Sequence, residues 1–217
     1  MTEKLITLSD TGTAAAEAYR ALRTNLIFNH PDDRMRALLV AMPAPESDAG
    51  TKAVVVANLA VTMAQSGRRT LLVDCDLRHP RQHEIWGISN DEGLSGALAS
   101  GDEVQAADVG VEKLAVLAAG LRADNPADLL GSRQMEALIS RLRGKAEFVL
   151  FDAPPVLAVT DAALLAAHMD GVLLVLNAGQ TRRDHAERAR ELLERVRARV
   201  IGAVLNNAPV DASISAY

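Results

Sequence analysis

A chain of 217 residues with 23 basic and 28 acidic side chains, a formal charge of −5, has the size of one α/β domain. Its acidic balance argues against a general nucleic-acid binder, which needs clustered Lys and Arg, and a single cysteine, Cys75, excludes an intrachain disulfide framework. No apolar run approaches the ~18 residues of a membrane span and MTEKLITLSD lacks a signal-peptide core, so a soluble cytoplasmic protein is expected.

In chain order, TAAAEAYRALRTNLIFN reads as a helix from Thr13 to Asn29, ahead of the first strand. RALLVAM near Leu38 is the first of a series of short aliphatic runs. The others are TLLVDCD near Leu72, LAVLAAG near Leu114, EFVLFDAPP near Val149, GVLLVLNAG near Leu173 and VIGAVLNNAP near Val204. Their continuous apolar character predicts strands covered on both faces. Helical patterns lie between them. TKAVVVANLAVTMAQSG closes on Gly67, NPADLLGSRQMEALISRLRG opens on Asn125 with Pro126 in the first helical position, and TRRDHAERARELLERVRA is amphipathic. This alternation predicts one domain, residues 1–217, with a mainly parallel sheet and helices on both faces in three layers.

Parallel sheets bind ligands beyond the carboxyl ends of their strands, so the strand-end residues are the candidates. The loop from Pro43 to Lys52 follows the first strand and precedes a helix, the place of a phosphate loop. Asp74 and Asp76 stand two positions apart at the next strand end, on one side, and can hold magnesium or act as a base. Arg78 follows and can meet phosphate or carboxylate. Asp152 ends another strand before two prolines, where an acid positions magnesium through water. Asp also suits strand ends as a turn residue, and it is the gathering of three acids beside one loop–helix unit that makes a nucleotide site.

LLVDCDLRHP, VLFDAPP and EAYRALRTNL, together with GLSGAL, NPADLLGSRQMEALI and GAVLNNAP in order, resemble the bacterial tyrosine kinases that govern capsule and exopolysaccharide synthesis. These belong to the P-loop ATPase class that also contains the partitioning proteins. The resemblance implies a P-loop NTPase-like fold, ATP and Mg²⁺ as cofactors, and protein tyrosines as substrates. By position it makes Lys52 the lysine at the β/γ-phosphates and Asp74 the tyrosine's base or its orienter. Asp76 and Asp152 become magnesium ligands, Gly50, Thr51 and Ala53 the rest of the phosphate loop, and Asn206 or Asn207 neighbours of the adenine. Glu17, Arg20 and Arg23 become an oligomer interface. A homo-oligomer follows, along with a separate membrane-bound polysaccharide co-polymerase as activator, recruiting the protein to the inner face of the membrane.

The phosphate loop departs from the family pattern. Thr51 replaces the glycine before the lysine, Ala53 replaces the Ser or Thr after it, and PESDAGTK is about three residues longer than the family's PGEGK. A β-branched Thr51 restricts the amide cradle, Ala53 has no hydroxyl for magnesium, and Glu46 and Asp48 bring negative charge. The family's terminal tyrosine cluster is represented by Tyr217 alone, the leading acceptor within the chain, while the other tyrosine, Tyr19, lies in the assembly helix. Two alternatives therefore stand beside the kinase: a non-catalytic assembly protein of polysaccharide export, and a partitioning-type ATPase. Cys75 reads as a small buried residue, Trp86 as packing, and Arg182 and Arg183 as a solvated helix face, and the five histidines show no metal-ligand spacing.

Overall fold

The computed structural model describes residues 5–28, 35–46, 50–103 and 105–209. Asn29, His30, Asp48 and Tyr217 lie outside the described residues. In chain order the elements are α1 (Ile6–Ser9), α2 (Ala14–Phe28), β1 (Ala37–Ala41), α3 (Thr51–Gln65), β2 (Thr70–Asp74), α4 (Gln82–Trp86), α5 (Leu94–Ser100) and β3 (Ala107–Asp108). Then come β4 (Leu114–Leu117), α6 (Pro126–Leu130), α7 (Arg133–Lys145), β5 (Phe148–Asp152), α8 (Asp161–Ala166), β6 (Gly171–Asn177), α9 (Arg183–Arg195) and β7 (Val200–Asn206).

The strands form one sheet in the order β3-β4-β2-β5-β1-β6-β7, parallel throughout except for β3 against β4. Strand alternation sorts the aliphatic residues into two cores. Leu38, Val40, Leu72, Leu150 and Leu173 face the layer of α1, α2 and α3. Leu39, Val73, Cys75, Phe151 and Leu174 face the layer of α5 to α9. α3 crosses from β1 to β2 over β5 and is apolar nearly all round, because α1 and α2 cover the side it turns from the sheet. Its buried Asn58 is satisfied there: Oδ1 accepts the Thr7 amide at 3.1 Å and the Thr7 hydroxyl at 2.8 Å, and Nδ2 donates to the Val54 carbonyl.

Several expectations need correction. The stretch from Asn125 is two helices: the chain breaks after Leu130, and Ser132 restarts it by accepting the Met135 amide on its hydroxyl at 3.2 Å, an N-cap of its own. β7 is not covered on both faces. It is the sheet edge, with Gly202, Ala203 and Leu205 exposed. GLSGAL is the short α5, whose start abuts the turn after β4. A Cβ on Gly93 would stand 2.4 Å from the Ala118 carbonyl oxygen and the Gly120 nitrogen, so only glycine fits.

Candidate active site

The carboxyl ends of β1, β2 and β5 meet under the first turn of α3. Asp152, the last residue of β5, is 1% exposed and meets two side chains from different elements, one by ion pairing and one by a hydrogen bond. Lys52 Nζ stands 2.7 Å from its Oδ1, and Gln82 Nε2 donates to its Oδ2 at 2.7 Å. Beyond Asp152 the chain keeps alongside β1 and its loop. The amides of Ala153, Val156 and Leu157 donate to the carbonyls of Val40, Met42 and Pro43 at 2.9–3.0 Å. Pro154 and Pro155 fall between those donors, so the prolines end the strand without costing this ladder a hydrogen bond.

Lys52 is the second residue of α3, and its ammonium is surrounded by three oxygens, two of them carboxylate. Besides Asp152 it donates to the Ala153 carbonyl and stands 3.5 Å from Asp76 Oδ2. Burial alone would lower the Lys52 pKa, but the negative charges of Asp152, Asp76 and Asp74 together outweigh it and hold the ammonium above its ordinary value. Burial pushes Asp76 up, with Lys52 pulling the other way. Asp76 Oδ1 accepts the His79 amide at 3.0 Å.

Asp74 is engaged by the backbone around it. Its side chain is fully buried, Oδ1 accepts the Asp76 amide at 3.1 Å, and Oδ2 accepts the amides of Arg81 at 3.0 Å and Gln82 at 2.9 Å. It thus satisfies the orphan donors at the start of α4 and fixes the turn that carries Asp76. Burial first, then the charge of Asp152, raises its pKa from 3.8 to about 7, against the Gln82 amide and Lys52. A carboxyl whose folded value lies above its unfolded one holds its proton longer in the folded state. The stability this contributes at low pH is lost as pH rises from about 4 to about 7. Asp74→Asn is expected to flatten that fall, on the order of 2–4 kcal/mol across the interval, although it lowers stability at every pH by losing a backbone acceptor. Denaturant midpoints at pH 5 and pH 8 measure the slope, and an unchanged slope assigns the fall to another group.

Arg78 meets a carboxylate. Its Nε and Nη2 make a bidentate pair with Asp161 at 2.9 and 3.1 Å, at the start of α8. Of the two partners open to Arg78, phosphate or carboxylate, its fork here takes the carboxylate. Ala53 is buried in the first turn of α3, and its carbonyl accepts Gln82 Nε2 at 3.0 Å. Gly50 caps the helix with φ −78°, a conformation open to any residue, and Thr51 begins the helix, buried. Glu46 turns to the end of β6. Its carboxylate accepts Asn177 Nδ2 at 2.5 Å and the Thr181 hydroxyl, and Asn206 Nδ2 donates to Asn177 Oδ1 at 3.1 Å. Asn207 follows with φ 56° in a turn.

The helix stripe also divides. Glu17 pairs with Arg20 at 2.6 Å and Arg20 reaches the Thr11 carbonyl, whereas Arg23 turns to the Thr62 carbonyl of α3 at 3.4 Å. A groove of about 1010 Å³ runs between α2 and β7, lined by Glu17, Asn206 and Asn207 and by none of Lys52, Asp74, Asp76 or Asp152. Cys75 is buried in the core, where burial raises its thiol pKa, and Trp86, the last residue of α4, packs against the core on the α3 side while donating to Gln82 Oε1 at 3.1 Å. Arg182 and Arg183 pair with Asp184 and Glu187 on the exposed face of α9.

The donor set suits magnesium, which takes one or two carboxylates and completes its shell with water and substrate phosphate. Asp76 and Asp152 converge on one ammonium, which marks a cation seat. Among the described residues no group of three or more His, Cys, Asp or Glu gathers for a metal. Sequence reading missed Gln82 and Asp161. Thr-Asp ahead of ALLAA signals a helix start, which locates Asp161 without revealing its partner. Nothing in the local pattern marks Gln82.

No family model matches the chain. It is 36% identical over 208 residues to tyrosine-protein kinase YwqD of Bacillus subtilis, covering 95% of this chain and 86% of that protein. Among solved structures, the chimerical protein CapA2B2 superposes with a TM-score of 0.89 at 35% identity, covering 95% of this chain and 90% of the other. The kinase domain of Escherichia coli tyrosine kinase ETK gives 0.86 at 30% identity, covering 96% and 83%. The Pyrococcus furiosus cell division ATPase MinD, at 0.65, 24% identity and 79% and 71% coverage, shares the fold.

Proposed function

The chain belongs to the bacterial tyrosine kinases, and from that membership we propose that it transfers the γ-phosphoryl group of ATP to protein tyrosines in the control of exopolysaccharide or capsule synthesis. The observation that carries this reading is the meeting of Lys52 with Asp152 at 2.7 Å and Asp76 at 3.5 Å under a loop–helix turn at the carboxyl edge of the sheet. Phosphoryl transfer asks a protein mainly for positioning and charge stabilisation. Lys52 supplies the positive charge for the β/γ-phosphates after leaving its internal oxygen partners, and Asp76 and Asp152 are the side chains that would hold magnesium. Magnesium bound there neutralises charge on the phosphoryl oxygens. Asp74 fixes the turn that presents Asp76. Asn206, at the end of β7, is the neighbour proposed for the adenine.

The proposal takes residues 1–217 as one kinase-like domain on the cytoplasmic side of the membrane. No helix among the described residues is long and apolar enough to cross a membrane, and a separate membrane-bound activator is part of the reading. Self-assembly through Glu17 and Arg20 belongs to it as well, and Arg20→Glu should lower the oligomer mass in light scattering if that contact operates.

A non-catalytic assembly role is the second reading, favoured by Ala53, which offers magnesium no hydroxyl, and by a Lys52 already neutralised inside the fold. Calorimetric titration with ATP and ADP, with and without Mg²⁺, separates the two. The kinase gives Mg²⁺-dependent heat, and incubation with ATP adds phosphate to Tyr217 or to a tyrosine-rich peptide, seen by mass spectrometry. An assembly protein gives neither.

A further inference from the structure

Gln82 is fully buried, stands on no phosphate loop or strand end, and yet bonds to Asp74, Asp152 and the first turn of α3. Its side-chain nitrogen has two hydrogens and two acceptors: Asp152 Oδ2 at 2.7 Å and the Ala53 carbonyl at 3.0 Å. Its side-chain oxygen accepts the Trp86 indole N–H at 3.1 Å. The surrounding groups fix which end of the amide is which, because the reversed amide would set its oxygen against two acceptors. Its backbone amide donates to Asp74 Oδ2 at 2.9 Å. One residue therefore ties the end of β2, the end of β5 and the first turn of α3.

The consequence concerns Asp152. A carboxylate can rotate about its last bond, and its other oxygen is held only by Lys52, the group that must turn to phosphate if ATP is used. Once Lys52 leaves, Gln82 is the remaining side-chain donor among the contacts described, and it holds Asp152 in register with the helix turn that carries the lysine. The Ser or Thr hydroxyl that would anchor a metal at position 53 is absent, so the orientation of Asp152 matters more here.

We propose that Gln82 is a positioning residue for phosphoryl transfer: its amide, locked by Trp86, orients Asp152 for magnesium and couples it to the first turn of α3. This rests on the ATP-dependent reading above.

The test separates magnesium from nucleotide. Gln82→Met keeps the length and removes the amide. ADP binding is titrated calorimetrically at a series of Mg²⁺ concentrations and again in EDTA. The expected result is a Mg²⁺ requirement raised about tenfold, as loss of a hydrogen bond to a charged group implies, with metal-free ADP affinity within about twofold of wild type. A purely structural role would lower both affinities together or lower only the melting temperature. Trp86→Phe removes the donor that locks the amide and leaves Gln82 in place. It should raise the Mg²⁺ requirement by a smaller factor, about two- to threefold, and it serves if Gln82→Met fails to fold. Trp86 is the only tryptophan, so its emission reports on the same amide. Mg²⁺-ADP should shift it in wild type and leave it unmoved in Gln82→Met. Wild type that binds Mg²⁺-ADP alongside variants with an unchanged Mg²⁺ requirement overturns the Gln82 assignment alone. Wild type with no Mg²⁺-dependent heat overturns the ATP reading and this assignment with it.

Discussion

Lys52→Met is expected to lose nucleotide affinity and fold stability together, and the two losses have different causes. Removing the ammonium takes away charge-assisted hydrogen bonds to phosphate, which should weaken ATP binding by about tenfold to a hundredfold. It also strands carboxylates. Asp152 is 1% exposed and Asp74 fully buried, and Lys52 is the side-chain cation 2.7 Å from the first of them. Breaking a buried pair from one side costs roughly 3–5 kcal/mol, because the charge left behind has neither water nor partner. Asp74, whose pKa burial already raises, can escape by keeping its proton, so the cost is pH-dependent. Without Lys52 the folded pKa of Asp74 rises further above its unfolded value, and the stability kept at pH 5 is lost as pH rises toward 8. Urea midpoints for both proteins at pH 5 and pH 8 should therefore diverge most at pH 8. A variant as stable as wild type at pH 8 would mean that the acids do not depend on Lys52, and unchanged ATP affinity would take Lys52 out of the phosphate site.

The convergence of Lys52, Asp76 and Asp152 was legible because a rule about topology, not contact, predicts it. Parallel strands with continuous aliphatic runs must lie inside a covered sheet, and their carboxyl ends then share one edge. LLVD, VLFD and RALLVAM gave the three central strands β2, β5 and β1. β3 escaped because two residues, Ala107 and Asp108, carry no period. The run near Val204 promised a covered strand and became the exposed edge, since aliphatic character says what a strand tolerates and not how many neighbours it has. The break between α6 and α7 turns on Ser132, an N-cap hidden inside an otherwise continuous helical pattern.

The site residues that stayed hidden are those whose role is a partnership across the sequence. Gln82 reaches Asp152, 70 positions on, and Arg78 reaches Asp161, 83 positions on. Glu46 was legible as a negative charge near the phosphate loop, but its attachment to Asn177 and Thr181 depends on how β6 sits beside β1. Residue type sets what such side chains can bond, and only the fold sets to which group.

Arg78 offers the sharpest separation of a structural from a ligand-binding role. Asp161 has a fully buried side chain and Arg78 is 36% exposed, so the pair is half in water. Arg78→Ala leaves the carboxylate in place without its fork. The full penalty for a stranded buried charge is reduced here, because water can reach the vacated side and Asp161 sits in the first turn of α8, at the positive end of that helix. A loss of about 2 kcal/mol follows, which lowers the melting temperature by about 4–8 °C in a chain of this size. Arg78→Lys should recover only part of it, since an ammonium cannot form two parallel bonds to a carboxylate. Asp161→Asn should cost a similar amount, and the double variant Arg78→Ala with Asp161→Asn should cost clearly less than the sum, the mark of a coupled pair. ATP affinity should stay near wild type in all of them, measured by calorimetry well below the variants' melting temperatures. If Arg78→Ala instead melts with wild type and binds ATP tenfold more weakly, the guanidinium leaves Asp161 for phosphate when nucleotide arrives, and the ion pair is only its resting place.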